Sequence, residues 1–98
     1  MEIRFHPEAL AELVGAMVWY GDRSERAKSA FLDEFEVAVA RMREAPMRWP
    51  TYRHGTRKVR LRRFPFALVY RVGVEELHVV AMAHLHRRPG YWRARSER

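Results

Sequence analysis

The stretch Phe66-Ala67-Leu68-Val69-Tyr70-Arg71-Val72-Gly73-Val74-Glu75-Glu76-Leu77-His78-Val79-Val80-Ala81-Met82-Ala83-His84 decides the fold. Its side chains alternate with the period of two that belongs to extended chain. Over 66–72, Phe66, Leu68, Tyr70 and Val72 share a face. Gly73 marks a turn, and over 77–84 Leu77, Val79, Ala81 and Ala83 share one face while His78, Val80, Met82 and His84 share the other. Both runs are apolar enough to be covered on much of both sides. Two adjacent antiparallel strands are therefore expected.

Working outward, the same period extends upstream. Over 57–63, Val59 and Leu61 point one way and Lys58, Arg60 and Arg62 the other, which predicts a third strand. Before Gly55 the pattern is helical. Arg48–Gly55 reads as a loop. Ala27, Phe31, Phe35, Ala38, Val39 and Met42 form an apolar stripe that Pro46 ends, and Asp22 or Ser24 suits its N-cap. Leu10, Leu13, Val14, Met17 and Val18 form a second stripe over roughly 7–22, with Pro7 at its first position and Gly21-Asp22 as its break. Glu2–Phe5 reads as a short strand. The order is β-α-α-β-β-β: an N-terminal strand, an αα-hairpin and a three-stranded antiparallel meander. That is an α+β domain filling residues 1–98, with the hairpin on one face of the sheet.

The charge is uneven. Of the 19 basic residues, 17 are arginine, and the formal net charge is +7. Residues 1–47 carry six basic against nine acidic side chains, and residues 48–98 carry thirteen against three. A surplus of ten positive charges in one half points to an anionic partner: nucleic acid, an acidic protein or a membrane surface. Arginine suits bidentate contact with phosphate or carboxylate. There is no cysteine, which excludes a disulfide framework and a thiolate metal site and suits the cytoplasm. No signal peptide and no membrane-spanning stretch is expected.

Chemistry concentrates at the end of the chain. His84, His86, Arg87, Arg88, Tyr91, Trp92, Arg93 and Arg95 lie within a dozen positions. Basic residues interleaved with aromatics make a surface on which unpaired bases stack. Trp92 is expected to pin this tail to the core, with Tyr91 open to either role. Cleavage of RNA by its own 2′-hydroxyl needs a base, an acid and cations for the developing charge, and the tail holds all three residue types. A structural role suits His6 and His78 better, and His54 sits in a polar loop. His84 and His86 at i, i+2 have no carboxylate close in sequence, so no metal and no cofactor is expected.

Phe5 with Pro7-Glu8-Ala9, Trp19-Tyr20, Phe35, Pro46 with Trp49-Pro50, the block Arg63-Phe64-Pro65-Phe66-Ala67-Leu68-Val69-Tyr70-Arg71 and the ending Ala83-His84-Leu85-His86-Arg87-Arg88-Pro89-Gly90-Tyr91-Trp92 resemble the RelE/ParE family of toxins from type II toxin–antitoxin modules. The resemblance runs over roughly residues 2–95 and implies a β-α-α-β-β-β fold, in agreement with the order read from the periods. It also implies a bacterial growth inhibitor, held in check by a cognate antitoxin that wraps an extended, partly acidic and apolar segment around it.

The resemblance implies two kinds of target. RelE-like members cleave mRNA at the ribosome without metal, and ParE-like members poison DNA gyrase and are not nucleases. For the nuclease branch, the resemblance implies catalytic roles for Lys58, Arg60, His84, His86, Arg87 and Tyr91. Arg62, Arg88, Arg93 and Arg95 are then target- or anion-binding. Two arginines of that branch are missing, since Ala67 and Leu85 stand in their places. The expectation is ParE-like inhibition of gyrase, with a ribosome-dependent mRNA endonuclease as the alternative and a non-toxic nucleic-acid-binding module as a second one.

Overall fold

The computed structural model describes residues 1–96. Its elements are β1 (Glu2–Phe5), α1 (Pro7–Arg23), α2 (Glu25–Glu44), β2 (Arg57–Arg60), β3 (Phe66–Val72), β4 (Glu76–His84) and a short α3 (Arg93–Ser96). A single 3-10 turn covers Arg53–Gly55 within the loop between α2 and β2. The strands form one sheet in the order β1-β4-β3-β2. The expected meander is present: β2 and β3 are antiparallel, and so are β3 and β4. β1 joins the far edge parallel to β4, so the sheet is mixed. No helix among the described residues is long and apolar enough to cross a membrane.

The hairpin of helices turns on one residue. Ser24 is extended, its N–H donates to Tyr20 O to close α1, and its Oγ accepts from Ala27 N–H to open α2. One residue thus caps both ends, its backbone N–H closing α1 and its hydroxyl opening α2, which satisfies groups that a helix terminus leaves unpaired. α1 runs through Gly21 and Asp22 to Arg23, past the expected break. His6 caps the other end, its Nδ1 accepting from Glu8 N–H at 3.1 Å ahead of Pro7. α2 ends at Glu44, just before Pro46, as expected.

The hairpin covers one face of the sheet. Leu13, Ala16, Phe31, Ala38 and Met42 meet Val59, Leu61, Leu68, Tyr70, Leu77, Val79 and Met82 there. Rings of Tyr20, Phe31, Phe64 and Phe66 close one end, with centroids 5.0–6.5 Å apart. Tyr70 reaches across and donates its hydroxyl to Pro46 O, and burial pushes its pKa up to about 12.

Two expectations about the strands are corrected. The faces of β4 are not constant, because Val69 pairs with Ala81 while Tyr70 pairs with Val79, leaving Val80 as an extra residue in β4. A bulge of this kind switches the alternation. Leu77 and Val79 face the helices, but beyond the bulge Met82 does so, and Ala81 and Ala83 pack with Trp92 on the opposite face. β2 stops at Arg60 instead of continuing to 63. Leu61 N–H turns back to Phe66 O, and Arg63 is drawn out of line by Glu34, which accepts from its N–H at 2.8 Å and from its guanidinium. Arg62 therefore lies in a loop and not on a strand row.

Candidate functional site

The tail leaves β4 and folds back over the outer face of the sheet. Leu85 N–H donates to Pro65 O at 2.9 Å, Arg87 N–H to His84 O at 3.0 Å and Tyr91 N–H to Arg88 O at 3.1 Å. The chain reverses at Gly90, whose φ of +82° favours glycine, and a Cβ there would stand 3.3 Å from His54 Nε2. Trp92 is 1% exposed and packs on Val69, Val80, Ala81 and Ala83, so it pins the tail as expected. The small alanines beyond the Val80 bulge make room for the indole. Tyr52 and His54, the latter in the left-handed region at φ 57°, flank the same ring with centroids 6.0 and 5.8 Å away.

A second anchor was not foreseen. Glu12, on α1, projects between the helix and the tail with its side chain 16% exposed. It accepts from Met82 N–H at 3.1 Å, from the Tyr91 hydroxyl at 2.7 Å and from the Arg95 guanidinium at 2.9 and 3.2 Å. Arg87 Nη1 stands 3.6 Å from the same carboxylate, and its guanidinium lies 3.8 Å over the Tyr91 ring. Burial, then the hydrogen bond and charge of Glu12, raise the Tyr91 pKa far above that of a free phenol. Burial works against the charge of Arg95, but Glu12 outweighs it and raises that pKa too. Tyr91 is thus a locked donor, with its proton directed at a carboxylate. Arg95, 12% exposed, has its charge met inside the molecule by Glu12 and, at 3.7 Å, by Glu8.

The residues singled out in the sequence do not form one site. Lys58, His84, Arg87, Arg88 and Tyr91 line one hollow of about 210 Å³ beside Trp92. Lys58 Nζ sits 4.1 Å over the Tyr52 ring. His84 Nδ1 accepts from His86 N–H at 3.1 Å, and the two imidazoles lie 5.0 Å apart, with His84 also against Phe66. Arg60 and Arg62 are elsewhere, on a hollow between α2 and the end of β2. Arg93 opens α3. Among the described residues no three His, Asp or Glu side chains come together as metal ligands. An apolar hollow of about 420 Å³ opens between α1 and the sheet, lined by Trp19, Tyr20, Phe66 and Met82 and bordered by Glu12, His84, Arg87 and Tyr91.

The fold has known counterparts. A family model described as ParE toxin of type II toxin-antitoxin system, parDE, matches residues 3–91. The chain belongs to the ParE toxin family. Among solved structures, this ParE family member is similar to a chain titled "Chromosomal ParDE TA system from P. aeruginosa". The two share 20% identity with a TM-score of 0.68, over 88% of this chain and 97% of that one, which is a likeness of fold. No curated protein matches the sequence. Within this ParE fold, Ala67 is fully buried opposite Arg60, and Leu85 bonds back to Pro65, so neither position presents a cation.

Proposed function

We propose that this ParE family toxin inhibits DNA gyrase by binding and performs no catalysis of its own. In this reading it acts in the bacterial cytoplasm and is neutralised by a cognate antitoxin that lays an acidic, apolar-anchored segment over it. The observation that carries the reading is the Glu12 clasp. A ribonuclease acid must deliver its proton to the leaving oxygen, with cations on the scissile phosphate. Here the Tyr91 hydroxyl donates to Glu12 at 2.7 Å, and Arg95 is committed to the same carboxylate. The absence of arginine at positions 67 and 85 supports it further. The family match, which is to the ParE and not the RelE description, points the same way.

One observation favours the second reading, an mRNA endonuclease: Lys58, His84, Arg87 and Arg88 share a single hollow. Induction in cells separates the two. Filamentation, trapped gyrase–DNA complexes and intact transcripts are expected. Cuts at codon boundaries in new mRNA with normal plasmid supercoiling would make it a nuclease. No growth effect at all would leave a nucleic-acid-binding module.

A further inference from the structure

α1 carries more apolar surface than the sheet covers. Ala9, Leu13 and Ala16 are buried, while Leu10, Val14, Val18 and Trp19 stand 49, 49, 56 and 52% exposed. With Ala11 and Gly15, also exposed, they make a ridge along the outer side of the helix. In a chain of net charge +7, no charged side chain interrupts this ridge between Glu12, which is turned inward to the clasp, and Asp22. Arg23, at the end of the helix, is folded back: its guanidinium lies 3.5 Å over the Trp19 ring and donates to Trp19 O at 2.7 Å. Hollows flank the ridge on both sides, one bordered by Gly15 and Trp19, the other by Val14, Val18, Gly21 and Lys28. Packing within the monomer does not call for Gly15. A glycine inside a helix is destabilising relative to alanine, and among the described residues a Cβ at this one would meet nothing within 4 Å.

We propose that this ridge is where two copies of the chain pair, α1 against α1, antiparallel about a twofold axis. Pro7, Ala11, Val14 and Val18 follow the alternating steps of four and three that make a helix-pairing seam. An axis crossing the helix between Val14 and Gly15 sets large side chains against small ones: Val14 against Gly15 of the second copy, and Val18 against Ala11. Leu10 and Trp19 then meet at the two ends of the seam. Glu8, 66% exposed and held only by Arg95 at 3.7 Å, falls opposite Gly21 of the second copy, which Lys28 borders. The ends are thus complementary in charge, and antiparallel helix dipoles attract. A twofold contact needs only one self-complementary face, which this ridge supplies. An acidic protein segment would find no cation along it. A membrane surface would call for basic flanks, whereas Glu8, Asp22 and Glu25 border the ridge. The net charge of +7 opposes pairing, so the dimer is expected to be weak and to tighten as salt screens that repulsion. The inference stands whatever the toxin's target.

Sedimentation equilibrium of the full chain, from micromolar to millimolar concentration, should show a mass rising toward twice that of the monomer, and more steeply in added salt. Val14→Glu sets two like charges across the axis and should weaken pairing at least tenfold. Because that side chain is half exposed, the circular dichroism spectrum should not change. An equimolar mixture of Val14→Glu and Val14→Lys should pair again. The chain has no cysteine, so a single introduced thiol reports proximity. Under mild oxidation Val14→Cys should link into dimers at least tenfold faster than Val74→Cys, although Val74 is 98% exposed. Four results would overturn the proposal: a monomer at millimolar concentration, a dimer indifferent to Val14→Glu, equal linking at positions 14 and 74, or binding of the ridge to vesicles of anionic phospholipid without any dimer.

Discussion

The tail and the end of β2 are both rich in arginine, yet the fold treats them in opposite ways. In the tail, Arg95 and Arg87 converge on Glu12, and Trp92 is sealed beneath them. At the end of β2 the local carboxylate is taken by Arg63, and Arg60 and Arg62 are left facing solvent. The first region uses positive charge to hold the chain together, and the second leaves it available. A count of basic residues cannot separate these cases, because what matters is where the few carboxylates of the first half come to lie. An arginine paired in a partly buried site stabilises through geometry, whereas an exposed one contributes little to folding and much to recognition.

If the tail is structural, its anchor should dominate stability. Trp92→Ala removes a fully buried indole and is expected to cost about 3–5 kcal/mol. For a domain of this size each kcal/mol lowers the melting temperature by about 4–8 °C. Thermal unfolding followed by circular dichroism measures it, and a loss near 1 kcal/mol would mean that the tail is only loosely applied. Glu12→Ala comes next, at about 2–4 kcal/mol, since it strands Met82 N–H, the Tyr91 hydroxyl and a largely buried guanidinium together. Faster hydrogen exchange at 85–95, with the helices unchanged, is the accompanying sign. Equal exchange in variant and wild type would remove the clasp from the account.

The pH dependence sharpens the same contrast. The folded pKa of Tyr91 lies above its ordinary value of 10.0, so its proton is held more tightly in the folded state. The stability this contributes is complete below pH 10 and is lost as pH climbs through the raised folded value. Tyr70 adds a slope of the same sign. Stability measured at pH 9 and pH 11 should therefore fall less in Tyr91→Phe than in the wild type. Parallel slopes would show that the phenol is not held by Glu12. Glu34 has the opposite sign: its lowered folded pKa gives stability that is present above the ordinary carboxylate range and lost as pH falls through the folded value.

Much of this contrast was hidden in the sequence, for reasons particular residues make plain. The alternation in 66–72, the apolar stripe of α2 and the cap at Ser24 are local signals, and the structure follows them. The stripe read for α1 is corrected: Leu10, Val14 and Val18 are about half exposed, and the helix buries Ala9, Leu13 and Ala16 instead. The pinning role of Trp92 was legible too, because an indole amid arginines needs somewhere dry to go. The bulge at Val80 left no mark, since Leu77, Val79, Ala81 and Ala83 alternate as smoothly as an unbroken strand. Only the pairing with Val69 and Tyr70 reveals the slip. Glu12 was invisible for a different reason. Its partners Met82, Tyr91 and Arg95 are 70, 79 and 83 residues away. The one available hint was arithmetical: a tail this basic needs a counter-charge, and nine of the twelve acidic side chains lie in the first half. The row Lys58, Arg60, Arg62 failed as a row because Glu34 ends the strand early, a contact spanning 29 residues.

The smallest expected effect tests the comparison most directly. Arg60→Ala and Arg62→Ala remove exposed cations that have no carboxylate partner among the described residues, so each should change stability by no more than about 0.5 kcal/mol in urea unfolding. Arg95→Ala removes a charge of the same kind from the tail, but leaves Glu12 without its bidentate partner, and should cost about 1.5–3 kcal/mol. The ratio carries the meaning, since all three replacements delete the same side chain. If Arg60→Ala proved as costly as Arg95→Ala, the end of β2 would be holding the fold together, and its cations would not be free for a partner. If Arg95→Ala proved as harmless as Arg60→Ala, the clasp would add nothing to folding, and the tail's arginines would return to the pool of groups available for recognition.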